Sequence, residues 1–104
     1  MTARCGADNE WGVHIAAFAR SAGLSGAHVR SLTDGAPGDA CWDQVNDRGV
    51  LAAVDELMVS HDLEERSWSA LLAAVGQEGC IDVLLLCGWY HAISFLARAS
   101  RLPL

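Results

Sequence analysis

The C-terminal quarter of the chain sets the tightest limit on what it can fold into. From about Gln77 to Ser100, Ile81, Leu84, Leu85, Tyr90, Ile93 and Phe95 recur at helical spacings, and the middle of the segment is apolar nearly all round. Such a helix needs cover on every side, so it is expected as the central helix of a domain or as an oligomer interface. Its longest apolar run, residues 81–89, is interrupted by Asp82 and is far too short for a membrane span. No membrane association is expected.

Upstream, Trp11, Ile15, Phe18 and Ala22 repeat at steps of three and four, the mark of an amphipathic helix. Asp8 or Asn9 can cap it, and Gly23 can supply the left-handed residue that ends it. A short helix follows, with Ser25 as N-cap, Val29 and Leu32 on its apolar side, and Asp34-Gly35 at its close. GAPGD, residues 35–39, is the clearest break in the chain. Asp39 is expected to cap a third helix, which carries Trp42, Val45, Val50, Leu51, Val54, Leu57 and Met58 to about Ser60. Asp62 is expected to cap a fourth, with Trp68, Leu71, Leu72 and Val75 as its apolar face and Gly76 as its stop. No segment alternates with period two. The expected fold is all-α, about five helices with short loops, in one domain spanning residues 1–104.

Composition narrows the partners. The chain has 104 residues, 52% hydrophobic and only 19% charged, against about 25% charged in an ordinary soluble domain. With four tryptophans and a mean hydropathy of +0.22, it is expected to bury surface against another subunit. Seven basic against thirteen acidic residues give a net charge of -6, and the basic residues do not cluster, which argues against nucleic acid. Cys5, Cys41, Cys80 and Cys87 form no CxxC and no zinc-type array. With no signal peptide read before them, they are expected as free thiols in a reducing, cytoplasmic compartment.

Glu10 and His14 stand one helical turn apart, close enough for their side chains to meet. On a helical wheel His14 borders the Trp11/Phe18 stripe, where a carboxylate can hold one ring nitrogen and tune its basicity. That arrangement suits a general acid or base, and it equally suits a pair of polar residues at the edge of an ordinary helix. His28, His61 and His91 form no HxxxH or HExxH, and no metal is expected. His28 reads as a packing or surface residue, and His61-Asp62 with Glu64-Glu65 as a solvated loop and helix start. His91, after Trp89-Tyr90, reads as core, interface or pocket lining. Cys80 and Cys87, two turns apart on one helix, read as small buried hydrophobes. No phosphate loop, GxSxG or kinase-like set is present, and no cofactor is expected.

The segment GVLAAVDELMVSHDLEERSWSALLAAVG, followed by CIDVLLLCGWYHAISFLARASRLPL, resembles the C-terminal half of the carboxymuconolactone decarboxylase family. That family shares its fold with the alkyl hydroperoxide reductase D-type disulfide reductases. EWGVHIAAFARSAGLS is similar to the family's motif helix, EW-x-x-H and then A-x-x-x-GLS. Together these motifs cover residues 9–104. The resemblance implies an alkyl hydroperoxide reductase D-like all-α fold and a homo-oligomer, whether dimer, trimer or hexamer. It also implies chemistry between lactone decarboxylation and peroxide-linked thiol exchange.

The redox branch of the family would need cysteines where this chain has Ala7 and Glu10, and Cys5 is out of register. Thiol exchange requires an attacking and a resolving sulfur, so a CxxC cycle is excluded at this site. Its upstream proton-relay glutamate would fall before Met1. Members also commonly carry a further N-terminal helical segment, which leaves an abbreviated product or a pocket built between subunits.

The resemblance therefore points to a decarboxylase-like lyase acting on a small carboxylated lactone or related organic acid, rather than to a peroxidase. His14 and Glu10 would be its acid/base pair, within a pocket walled by Trp11, Phe18, Trp89, Tyr90 and His91. Arg20, nearly two turns from His14, is not a convincing oxyanion-binding cation. Two other expectations stand beside this one. The first is a catalytically degenerate oligomeric protein of the same fold. The second is a thiol oxidoreductase using Cys5 or a cysteine supplied across an interface.

Overall fold

A computed structural model describes Gly12 and residues 15–101. Every regular element among them is helical. Residues 15–18 are helical and run into a turn that ends in two paired bonds, Gly23 N–H to Arg20 O and Leu24 N–H to Ala19 O, both 3.0 Å. This is a Schellman closure, and it requires the left-handed residue that Gly23 supplies at φ 75°.

Helix α1, Gly26–Asp34, starts where the sequence predicts. Ser25 Oγ accepts the His28 N–H, while the Ser25 N–H donates to His28 Nδ1 at 3.0 Å. This is a capping box with histidine in the place usually held by glutamate or glutamine. Gly35 closes the helix by donating to Ser31 O at 2.8 Å.

Helix α2, Val45–Ser60, begins later than expected. Asp39 does not cap it, because its carboxylate accepts from Ser31 of α1 and from the Ala36 N–H, and Gln44 is the N-cap without a side-chain bond. Trp42 accordingly lies in the connection and not on the helix. The helix ends at His61, which takes a left-handed φ of 59° and donates its N–H to Leu57 O.

Helix α3, Glu65–Ala99, is broken at Gly76, with φ 76° and ψ 175°. The break divides it into arms at residues 65–75 and 77–99, so the predicted stop at Gly76 is present as a break between two helical arms. Asp62 is not the cap of α3. Its carboxylate accepts the Leu63 N–H, and the N–H of the N-cap residue Glu64 goes to Glu56 Oε1 at 2.7 Å.

Helices α2 and α3 pack together around Ala53, Leu71 and Cys80, with Val50, Leu63, Trp68 and Val83 against them. Gly49 lies opposite Ala70. Val45, Val59 and much of the second arm of α3 remain exposed despite being apolar. By length and composition alone α3 is long and apolar enough to cross a membrane, a measure the run at residues 81–89 does not meet.

Candidate functional site

Glu10, Trp11 and His14 lie outside the described residues, as do Cys5 and Ala7. Of the expected pocket wall, Phe18 and Trp89 are 60% and 62% exposed. Tyr90 and His91 are half-buried, and His91 stacks on Phe95 with ring centroids 4.5 Å apart. Consecutive helical residues project about 100° apart, so Trp89, Tyr90 and His91 fan over three directions. Trp89 points outward, and the other two flank the side on which Cys87 and Ser94 are buried. Arg20 is exposed in the turn that Gly23 closes.

The best-organised polar cluster among the described residues is one the sequence did not reveal. It joins α1 to the 35–44 connection. The Trp42 indole N–H donates to Ser31 Oγ at 2.7 Å, and the Ser31 hydroxyl donates to Asp39 Oδ2 at 2.6 Å. The same carboxylate oxygen accepts the Ala36 N–H at 3.0 Å. His28 stacks on Trp42 with centroids 4.6 Å apart. Because His28 Nδ1 accepts the Ser25 N–H, its ring proton sits on Nε2, which donates to Cys41 O at 2.8 Å. Cys41 Sγ donates in turn to Ala27 O, and Arg48 Nε donates to Trp42 O.

Ser31 and Trp42 are both only 6% exposed, and no buried side-chain polar atom among the described residues lacks a partner. The Ser31 proton is committed to Asp39 and its lone pair to Trp42, so no nucleophile is poised there. A wide, open hollow of about 380 Å³ lies on the side of Arg30, Asp34, Asp39 and Cys41, and the more enclosed cavity, lined by Ser31, Pro37, Trp42, Leu51 and Val54 among others, measures about 40 Å³. That is room for water, not for an organic acid. The cluster fastens the loop to α1, and His28 belongs to it as a packing residue.

Cys80 and Cys87 are buried and form no disulfide, as their spacing predicts, and Cys41 is a half-buried thiol in no disulfide. No group of three or more His, Cys, Asp or Glu side chains that could hold a metal ion occurs among the described residues.

Compared with known proteins, the chain matches no family model, no curated protein and no solved structure.

Proposed function

We propose that the chain is a carboxymuconolactone decarboxylase-like lyase for a small carboxylated lactone or related organic acid, with His14 and Glu10 as its acid/base pair. The observation that supports this reading is the ordered motif set: EW-x-x-H, then A-x-x-x-GLS, AVDEL, Trp68, Gly-x-Tyr and the closing LPL. In the proposed step the bond from the ring carbon to its carboxylate breaks and carbon dioxide leaves. The electron pair is held as an enolate on the conjugated lactone, and His14 delivers a proton to carbon. Glu10 holds the second ring nitrogen of His14 and fixes which nitrogen carries that proton.

The test is turnover of γ-carboxymuconolactone by the purified chain, followed by ultraviolet absorbance and carbon dioxide release. His14→Ala is expected to lower turnover by at least 100-fold with the helical circular dichroism unchanged. Unchanged turnover in that variant removes His14 from the mechanism.

A second reading is a catalytically degenerate oligomeric protein of the same fold, favoured by the outward exposure of Phe18 and Trp89. It is supported if the wild-type chain turns over no carboxylated lactone. A thiol oxidoreductase is least favoured, because Cys80 and Cys87 are buried on one helix.

A further inference from the structure

The second arm of α3 exposes seven large apolar side chains, each between 37% and 68%: Leu86 stands apart, beyond Trp89, and Ile81, Leu84, Leu85, Trp89, Phe95 and Leu96 share one side. They follow helical steps of three and four, so they form a continuous stripe with Trp89 at its edge. Gly88 and Ala92 lie mid-stripe and are exposed, and nothing lies within 4 Å of where a Gly88 Cβ would sit.

We infer that this stripe is covered by the same stripe of a second copy of the chain, running antiparallel and crossing near Gly88. The inference gives the expected homo-oligomer a face and an orientation, and it does not rest on the decarboxylase-like reading.

Three observations carry it. The first is area. Six large apolar side chains exposed along one side by 37–68% make a patch of the order of the ~800 Å² that each partner contributes to a stable protein interface. The second is shape. Large residues at 81–85 and 95–96 flank small ones at 88 and 92, so an antiparallel crossing near Gly88 lets the backbones approach. It sets Ile81 and Leu85 of each copy against Leu96 and Ala92 of the other, the reciprocity a two-fold interface demands. The third is charge. Glu78 and Asp82 stand at the start of the arm, and Arg98 and Arg101 at its end. Antiparallel packing brings unlike ends together, and parallel packing would bring like ends together.

A bilayer fits the arm less well. Cys80 is fully buried with Ala53 and Leu71, and Val83 packs on that cluster, so the start of the arm is tied to α2. Residues 84–97 remain, about 21 Å at 1.5 Å per residue, against a hydrocarbon core of about 30 Å. Cys87 and Ser94 are also buried along the opposite side of the arm.

The test is sedimentation velocity of the full chain at about 100 µM. A species of twice the 11.1 kDa chain mass is expected. Leu85→Glu is expected to weaken it at least tenfold, with Leu96→Glu as the second variant if the first does not fold. Val59→Glu, at an 85% exposed position on α2, is expected to leave it unchanged. Orientation is read by oxidative cross-linking in a Cys5→Ser/Cys41→Ser background. Gly88→Cys is expected to cross-link to itself and Ile81→Cys is not, whereas Ile81→Cys mixed with Leu96→Cys is. A monomer at this concentration, or an oligomer indifferent to both glutamate variants, overturns the inference. So does co-sedimentation of the chain with phosphatidylcholine–phosphatidylglycerol vesicles in place of self-association. Self-cross-linking of Ile81→Cys overturns the antiparallel arrangement.

Discussion

Trp42 donates its indole N–H to the Ser31 hydroxyl at 2.7 Å, and Ser31 donates its own proton to Asp39 at 2.6 Å. One hydroxyl thus joins a tryptophan of the 35–44 connection to a carboxylate of the same connection, across the last turn of α1. With both partners fixed, the loop closes on the helix without regular structure of its own.

Ser31→Ala removes the acceptor for a buried indole N–H and a donor to Asp39 together. Leaving a buried donor unsatisfied costs about 1–3 kcal/mol, so the variant is expected to lower unfolding free energy by about 2 kcal/mol in urea titrations. Trp42→Phe alone also destabilises by lost packing. The two changes together are expected to cost less than their sum, because the second cannot break a bond already lost.

Glu56 supplies the cap that Asp62 was expected to give. Its Oε1 accepts the Glu64 N–H at 2.7 Å from the neighbouring helix, whereas Asp62 reaches only the N–H next to it. Loss of such a cap costs about 1 kcal/mol. Glu56→Ala is therefore expected to destabilise by about that amount in thermal or urea melts, and Glu56→Gln by less, since its amide oxygen still accepts. Asp62→Ala is expected to change stability least of the three.

The helices were legible because their signals are local. Ser25 caps α1, Gly23 takes the left-handed turn, and Gly76 breaks α3, each placed by its own φ/ψ or hydrogen-bonding preference. What could not be read were side chains acting across elements. Asp39 and Asp62 both have the chemistry of N-caps, but tertiary structure gave the first to Ser31 and Ala36 and left the second beside a cap supplied by Glu56. Trp42 fits a helical stripe by spacing, yet its indole is drawn to Ser31 and His28 instead. The Ser25-x-x-His28 spacing was the one sequence signal of that cluster, visible only if histidine is accepted in a capping box. At the candidate site, Glu10, Trp11 and His14 lie outside the described residues. Trp89 faces outward because three consecutive helical residues cannot share one wall.

Two glycines separate backbone strain from simple helix propensity. Gly76 sits at φ 76° and ψ 175°, a region essentially closed to residues with a Cβ, where non-glycine residues pay about 1–3 kcal/mol. Gly76→Ala is expected to destabilise by that amount. Gly49 is an interior helical position whose added Cβ would meet Ala70 O at an ordinary 3.7 Å. Gly49→Ala is expected to stabilise by about 0.5–1 kcal/mol through propensity. Denaturant midpoints of the two variants should therefore move in opposite directions. A shift in the same direction would mean that the α2–α3 contact at Ala70 is tighter than the geometry indicates.

The thiols discriminate between the redox reading and the others. Cys80 and Cys87 are 0% and 8% exposed, while Cys41 is half-buried in the 35–44 connection. Seven residues of helix separate Cys80 from Cys87 by about 10 Å along the axis, beyond the roughly 7 Å that a disulfide can bridge between Cα atoms. In a Cys5→Ser chain, a thiol reagent is expected to label one cysteine under native conditions. That signal should vanish on Cys41→Ser, and the other two thiols should appear only in guanidinium. Hydrogen peroxide is expected to form no intramolecular disulfide in that chain. A native, peroxide-driven loss of two thiols per chain would instead require the arm carrying Cys80 and Cys87 to open, and would restore the oxidoreductase reading.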